Sequence, residues 1–177
     1  MKKKTLILLV ALGIGIVVAF FAVKLISNKN FEKNTKSAVE NMILVTYIAE
    51  SATDSYSDVW GRFIKNGFLW INGERKYFSN FSEAVHYAVN TFEEGGVLNQ
   101  MDSMFSVSKN YIKKIDGSWF GNRGAKRCIK ELYLNVSEYC SLAHSPTGSL
   151  QSFNNKTNEL SALISKNMKE LELYVQK

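Results

Sequence analysis

The residues that most often do chemistry are few and far apart in this chain. Cys128 and Cys140 are separated by twelve positions on one predicted helix, which is about 18 Å along the helix axis. A disulfide needs Cα atoms within about 7 Å of each other, so these two thiols cannot pair there. We predict that both are buried and inert, with pairing between molecules as the alternative.

The histidines and carboxylates do not compose a site either. His86 and His144 lie on different predicted helices, and neither belongs to a ligand motif such as H-E-x-x-H. Glu93 and Glu94 beside Asp102 form an acidic patch that is more typical of a solvated helix end than of a metal or acid–base site. A nucleophile elbow and a glycine-rich phosphate loop are missing. The sequence therefore predicts no enzyme, no metal site and no cofactor.

Aromatic residues beside cations mark two loops that are better candidates. In residues 68–81, Asn72 and Gly73 separate two aromatic-rich runs, which is typical of a tight β-hairpin because both residues tolerate positive φ. Large aromatics and arginine also anchor protein interfaces. We predict a partner-binding tip, shared with a turn at residues 145–149, whose residues are Trp70, Arg75, Lys76 and Tyr77. The alternative is that the hairpin aromatics, Phe68, Trp70, Tyr77 and Phe78, only cover the open end of a helical bundle.

The second loop, residues 116–124, combines aromatic rings with nearby cations. Such rings favour membrane interfaces, and cations favour anionic lipid headgroups. We predict a membrane-interface site whose residues are Trp119, Phe120, Arg123, Lys126 and Arg127. Ordinary closure of the core is the alternative.

Apolar stripes at alternating three- and four-residue spacing predict the helices that position these loops. The stripes cover residues 38–63, 81–115, 125–143 and 150–174, and Gly95-Gly96 makes the second either one kinked helix or two helices in series. Helices of alternating direction predict an all-α antiparallel four-helix bundle with a small β-hairpin between helices 1 and 2. A three-helix bundle with an irregular middle is the alternative.

An uninterrupted apolar run at residues 5–23 precedes the bundle. As a helix it would rise about 28 Å, close to the thickness of a bilayer core, so we predict an N-terminal transmembrane helix that anchors the chain in lipid. A cleaved signal peptide is the alternative. The predicted organisation is an anchor at 1–27, a juxtamembrane stalk at 28–36 and a bundle at 37–177. The basic head predicts a single-pass membrane protein whose bundle lies outside the cytoplasm, and small residues in the span leave a homodimer open.

The net charge of +6 does not indicate a nucleic-acid partner. Four of the 22 basic residues flank the apolar run, so the rest of the chain has 18 basic against 16 acidic residues. That balance of charges is typical of an ordinary solvated surface and does not indicate a basic face.

Residues 131–154 carry a resemblance. The pieces concerned are Leu132-Tyr133, Leu142-Ala143, the run from Ser145 to Leu150, and Phe153-Asn154. They resemble the C-terminal part of an uncharacterised family of helical surface lipoproteins and membrane-anchored proteins of Gram-positive bacteria and their prophages. The resemblance implies a tethered extracellular bundle but no activity.

These observations predict a membrane-tethered, non-enzymatic module outside the cytoplasm that acts by protein–protein recognition or occlusion at the cell envelope, with an unknown envelope protein as its partner and a prophage origin implied by the resemblance. The alternative is a four-helix-bundle ligand sensor that lacks a second span.

Overall fold

The computed structural model describes residues 2–175, with side chains for residues 19–174. In that part of the chain, five helices and two short strands follow one another. They are α1 (Lys2–Asn66), β1 (Phe68–Ile71), β2 (Glu74–Tyr77), α2 (Phe81–Glu94), α3 (Val97–Asp116), α4 (Arg123–His144) and α5 (Leu150–Val175).

The helices pack side by side as an antiparallel bundle. α1 contacts α3, α4 and α5, and α4 in turn contacts α3 and α5. Ser57 of α1 meets Asn154 of α5 at one end of the bundle, and Ser27 of α1 meets Ser118, which follows α3, at the other. The α2–α3 pair and α5 therefore both run opposite to α1, and α2 and α3 in series occupy one of four positions.

The two ends of the bundle carry the two aromatic loops. We call the end with the β-hairpin and the turn at residues 145–149 the hairpin end. The opposite end, formed by residues 19–33, 113–126 and 166–174, is called the Trp119 end.

The predicted apolar stripes supply the core of the bundle. Their most deeply buried members are Ala38, Met42, Val45, Ala49, Ala52 and Tyr56 in α1, Leu98, Met101 and Ile115 in α3, Ala125, Ile129, Leu132, Val136, Tyr139 and Ala143 in α4, and Phe153, Leu160, Ile164 and Leu171 in α5. Several of the α1 residues are alanines, so other helices can approach α1 closely.

The turn that the sequence predicts is present, and a side chain caps the helix that follows the hairpin. Asn72 and Gly73 both have positive φ, at 52° and 85°, and the predicted hairpin between the first two helices is confirmed. Asn80 accepts the backbone N–H of Glu83 at 3.0 Å, which caps the start of α2. Gly96 has a φ of 72° and separates α2 from α3, so residues 81–116 form two helices in series.

The region predicted as a stalk is helical. α1 continues without interruption through residues 28–36, and both Phe31 and Thr35 are buried there. The loop between α3 and α4 covers Phe31 so closely that a Cβ on Gly121 would overlap its ring. This contact joins residues far apart in the chain, so local polarity around residue 31 could not indicate it.

The prediction of an N-terminal transmembrane helix is wrong, as the hydropathy of the described helices shows. Within the described residues, no helix is long and apolar enough to cross a bilayer. Beyond residue 23 the described part of α1 carries a charge every few positions, at Lys24, Lys29, Glu32, Lys33 and Lys36. This finding overturns the transmembrane helix of the predicted fold, the signal-anchor assignment and the single-pass membrane localisation with its extracytoplasmic bundle. Residues 5–18, most of the predicted span, lie outside the residues whose side chains are described.

Candidate protein-binding site

The β-hairpin has two faces of different character. Its antiparallel register pairs Phe68 with Tyr77 and Trp70 with Arg75. Because side chains alternate along a strand, these four residues share one side of the ribbon, and Leu69 points to the other. We call the side with Phe68, Trp70, Arg75 and Tyr77 the outer face.

The outer face presents aromatic rings and a cation to solvent. Trp70 is 58% exposed and Tyr77 is 68% exposed. The Arg75 guanidinium lies over both neighbouring rings, 5.0 Å from the centre of Phe68 and 5.2 Å from that of Trp70. Cation–π contacts of this kind hold the arginine in place.

The inner face attaches the hairpin to the bundle. Leu69 is 5% exposed. Phe78, just after β2, packs edge-on against Phe63 of α1, with ring centres 6.2 Å apart. The Lys76 ammonium lies 3.8 Å from the centre of the Tyr87 ring of α2. Lys76 is therefore separated from the three other predicted tip residues, and Phe78 is the aromatic that covers the bundle.

A cleft remains between the hairpin and the helices. Its volume is about 200 Å³. It is lined by residues of α1, β1 and α2, namely Ser55, Asp58, Val59, Arg62, Leu69, Trp70, Ile71, Tyr87, Ala88, Thr91 and Phe92. Trp70 is one of the lining residues, so the cleft adjoins the outer face.

The turn at residues 145–149 lies at the same end of the bundle as the hairpin, but beside the start of α2. Pro146 lines a hollow with Trp60, Phe81 and His86. The turn thus packs against the start of α2, and the predicted tip consists of the hairpin outer face alone.

The predicted membrane-interface residues divide by their contacts. Trp119 is 93% exposed, and Phe120 packs edge-on against Phe20 of α1 with 5.6 Å between ring centres. The Lys126 ammonium donates to the backbone oxygens of Asp116, at 3.3 Å, and of Ser118, so it fixes the loop.

The two arginines of that set lie in the first turns of α4. Arg127 approaches Glu131 and Glu170 at 3.8 and 3.9 Å. Arg123 is exposed. Trp119 and Arg123 are thus the two members that face solvent without a structural contact among the described residues.

Cys140, His144 and Asp102 come together where α3 and α4 meet. His144 Nε2 lies 2.9 Å from Asp102 Oδ1, and Cys140 is one turn earlier on α4. Burial, together with the Asp102 charge, raises the pKa of the Cys140 thiol to about 12. A nucleophile needs a lowered thiol pKa, so this cluster lacks a reactive thiolate. The i, i+4 spacing of Cys140 and His144 is a signal that sequence reasoning missed.

Cys128 is also a buried thiol. Its sulfur donates to the Asn167 backbone oxygen at 3.2 Å, and burial raises its pKa. Both cysteines are free and buried. Among residues with described side chains, no group of three histidine, cysteine or acidic residues could hold a metal ion.

Comparison with known proteins found no relative of this chain. No protein-family model, curated protein or solved structure matches it. The resemblance of residues 131–154 to Gram-positive surface proteins therefore stays a prediction.

Proposed function

We propose that this protein is a non-enzymatic helical module that binds another protein through the outer face of its hairpin. The observation that carries the proposal is that two large aromatic side chains and an arginine share one exposed face of the hairpin. Trp70 and Tyr77 are each more than half exposed. Tryptophan, tyrosine and arginine are the residues that most often dominate binding energy at protein interfaces.

The support beneath this face strengthens the proposal. Leu69 and Phe78 attach the ribbon to the bundle from the opposite side, and the Asn72-Gly73 turn fixes its register. Arg75 already lies over both the Phe68 and the Trp70 rings before any partner arrives. A surface ordered in advance loses less conformational entropy on binding.

The cleft beside the hairpin gives little support to the alternative function, a ligand-sensing bundle. The cleft beside the hairpin measures about 200 Å³. Small-molecule sites are commonly about 300–1,000 Å³. The dimensions of this region therefore favour a protein surface over a small ligand as the partner.

Photocrosslinking in the cells from which the chain comes tests the proposal. A photoreactive residue replaces Trp70 or, separately, Tyr77 in the full chain. The matched control replaces Tyr47, which is 71% exposed on α1 and about 28 Å along the helix from its C-terminal end.

We expect one protein to be captured from positions 70 and 77 and not from position 47. Capture of the same mixture of proteins from all three positions, or of none, would contradict the proposal.

A further inference from the structure

The Trp119 end exposes apolar side chains that the fold leaves uncovered. Every residue from 19 to 26 is exposed, so α1 projects past the other helices at this end. The large apolar residues concerned are Phe20, Phe21, Val23, Leu25, Ile26 and Trp119. Monomeric proteins seldom present so many such residues together unless the patch binds something.

The arrangement of these residues around α1 indicates the kind of partner. Successive residues of an α-helix are rotated by about 100°, so positions 20, 21, 23, 25 and 26 point in all directions around the axis. A protein groove covers one face of a helix. A lipid surface can surround the helix on every side.

Charge supports a lipid surface of negative sign. Residues 19–33, 113–126 and 166–174 contain nine lysines and arginines against four carboxylates. The first turn of α4 has no acidic residue, and Arg123, Lys126 and Arg127 lie near its N-terminus. Cations are unfavourable there because the helix dipole is positive at that end. An anion bound nearby would offset this cost.

The geometry points to docking of the Trp119 end on an anionic lipid surface, with Trp119 and residues 20–26 in the interfacial layer. Phe120 packs on Phe20, and Lys126 binds the loop backbone, so Trp119 is held beside the projecting helix. Tryptophan prefers the headgroup level of a bilayer. This contact needs no helix that crosses the bilayer, and it is independent of the hairpin surface.

Tryptophan fluorescence of the full chain tests this inference. Trp70→Phe leaves Trp119 as the exposed tryptophan, and Trp119→Phe leaves Trp70 as the matched control. Trp60 is 3% exposed and gives the same background in both variants. The probes are vesicles of phosphatidylcholine with or without a one-third share of phosphatidylglycerol, and lipids brominated near the headgroup quench any tryptophan at that depth.

We expect anionic vesicles to shift the Trp119 emission to the blue and brominated lipid to quench it, while Trp70 emission stays unchanged. Quenching of neither tryptophan, of both, or of Trp119 equally by uncharged vesicles would overturn the inference. Lys29→Gln with Arg123→Gln should weaken binding to anionic vesicles by about 25-fold, since each cation near an anionic surface contributes about fivefold. Lys65→Gln with Lys109→Gln is the control pair, and an equal loss there would also count against the inference.

Discussion

Two buried tyrosines in neighbouring layers of the core should respond in opposite ways to loss of their hydroxyl groups. Tyr56 is 0% exposed, and its hydroxyl has no hydrogen-bond partner among the described residues. Tyr139 is 1% exposed, but its hydroxyl lies 3.2 Å from Ser161 Oγ. Replacement by phenylalanine removes one oxygen at each site and leaves the ring in place.

The expected magnitudes follow from hydrogen bonding. An unpaired buried polar group costs about 1–3 kcal/mol, so Tyr56→Phe should raise the free energy of unfolding by about 1 kcal/mol. Tyr139→Phe gives up a made hydrogen bond and should lower it by about 1 kcal/mol. For a chain of this size the difference of about 2 kcal/mol corresponds to roughly 4–8 °C in Tm.

Urea unfolding followed by circular dichroism at 222 nm measures both variants against the parent chain. Equal slopes of the unfolding curves would show that the comparison is of native stability alone. If Tyr56→Phe destabilised the protein as much as Tyr139→Phe, the reasoning from the unpaired hydroxyl would be refuted.

Three further predictions concern a tight loop, a thiol and the hairpin. Gly121→Ala should destabilise the fold by about 1–3 kcal/mol, because its Cβ would overlap the buried Phe31 ring. Gly117→Ala is its control, since the nearest atom to that Cβ lies at 3.5 Å; equal Tm values for the two would contradict the overlap. The folded state holds the Cys140 proton more tightly than the unfolded state, because burial raises the pKa of this thiol to about 12. Its contribution to stability is therefore complete below the ordinary pKa of 9.0 and is lost as the pH rises towards 12. Urea midpoints between pH 8 and 11 should fall less for Cys140→Ala than for the parent, and parallel falls would rule out the linkage. Leu69→Ala should cost about 2–3 kcal/mol in urea unfolding, since this residue anchors the inner face of the hairpin; a cost under about 0.5 kcal/mol, the usual range for surface changes, would show that the inner face is not an anchor.

Periodic features of the sequence predicted much of the fold. The stripes in α1, α4 and α5 indicated the core because a helix repeats its buried face every three to four residues. The Asn72-Gly73 pair located the hairpin because positive φ at both residues favours that turn. These signals are local, so one sequence sufficed to find them.

Local sequence patterns could not predict contacts between segments that are far apart in the chain. The burial of Phe31 depends on Gly121, which belongs to a loop far along the chain. The side of the hairpin on which Lys76 lies depends on how the ribbon packs against Tyr87. The sequence predicted Trp70, Arg75 and Tyr77 of the outer face as site residues. Phe68, the fourth outer-face residue, was considered only as a residue that covers the end of the bundle.

The central claim is that the outer face of the hairpin recognises a protein. Its most direct test is the affinity of the purified crosslinked partner for the full chain and its variants, measured by isothermal titration calorimetry. Loss of a dominant interface residue costs about 2 kcal/mol or more, so Arg75→Ala and Trp70→Ser should each raise Kd by about 30-fold. Tyr47→Ser, which removes an equally exposed aromatic ring from α1, should change it less than about threefold. Unchanged Kd values for both hairpin variants, with their unfolding curves intact, would contradict the account.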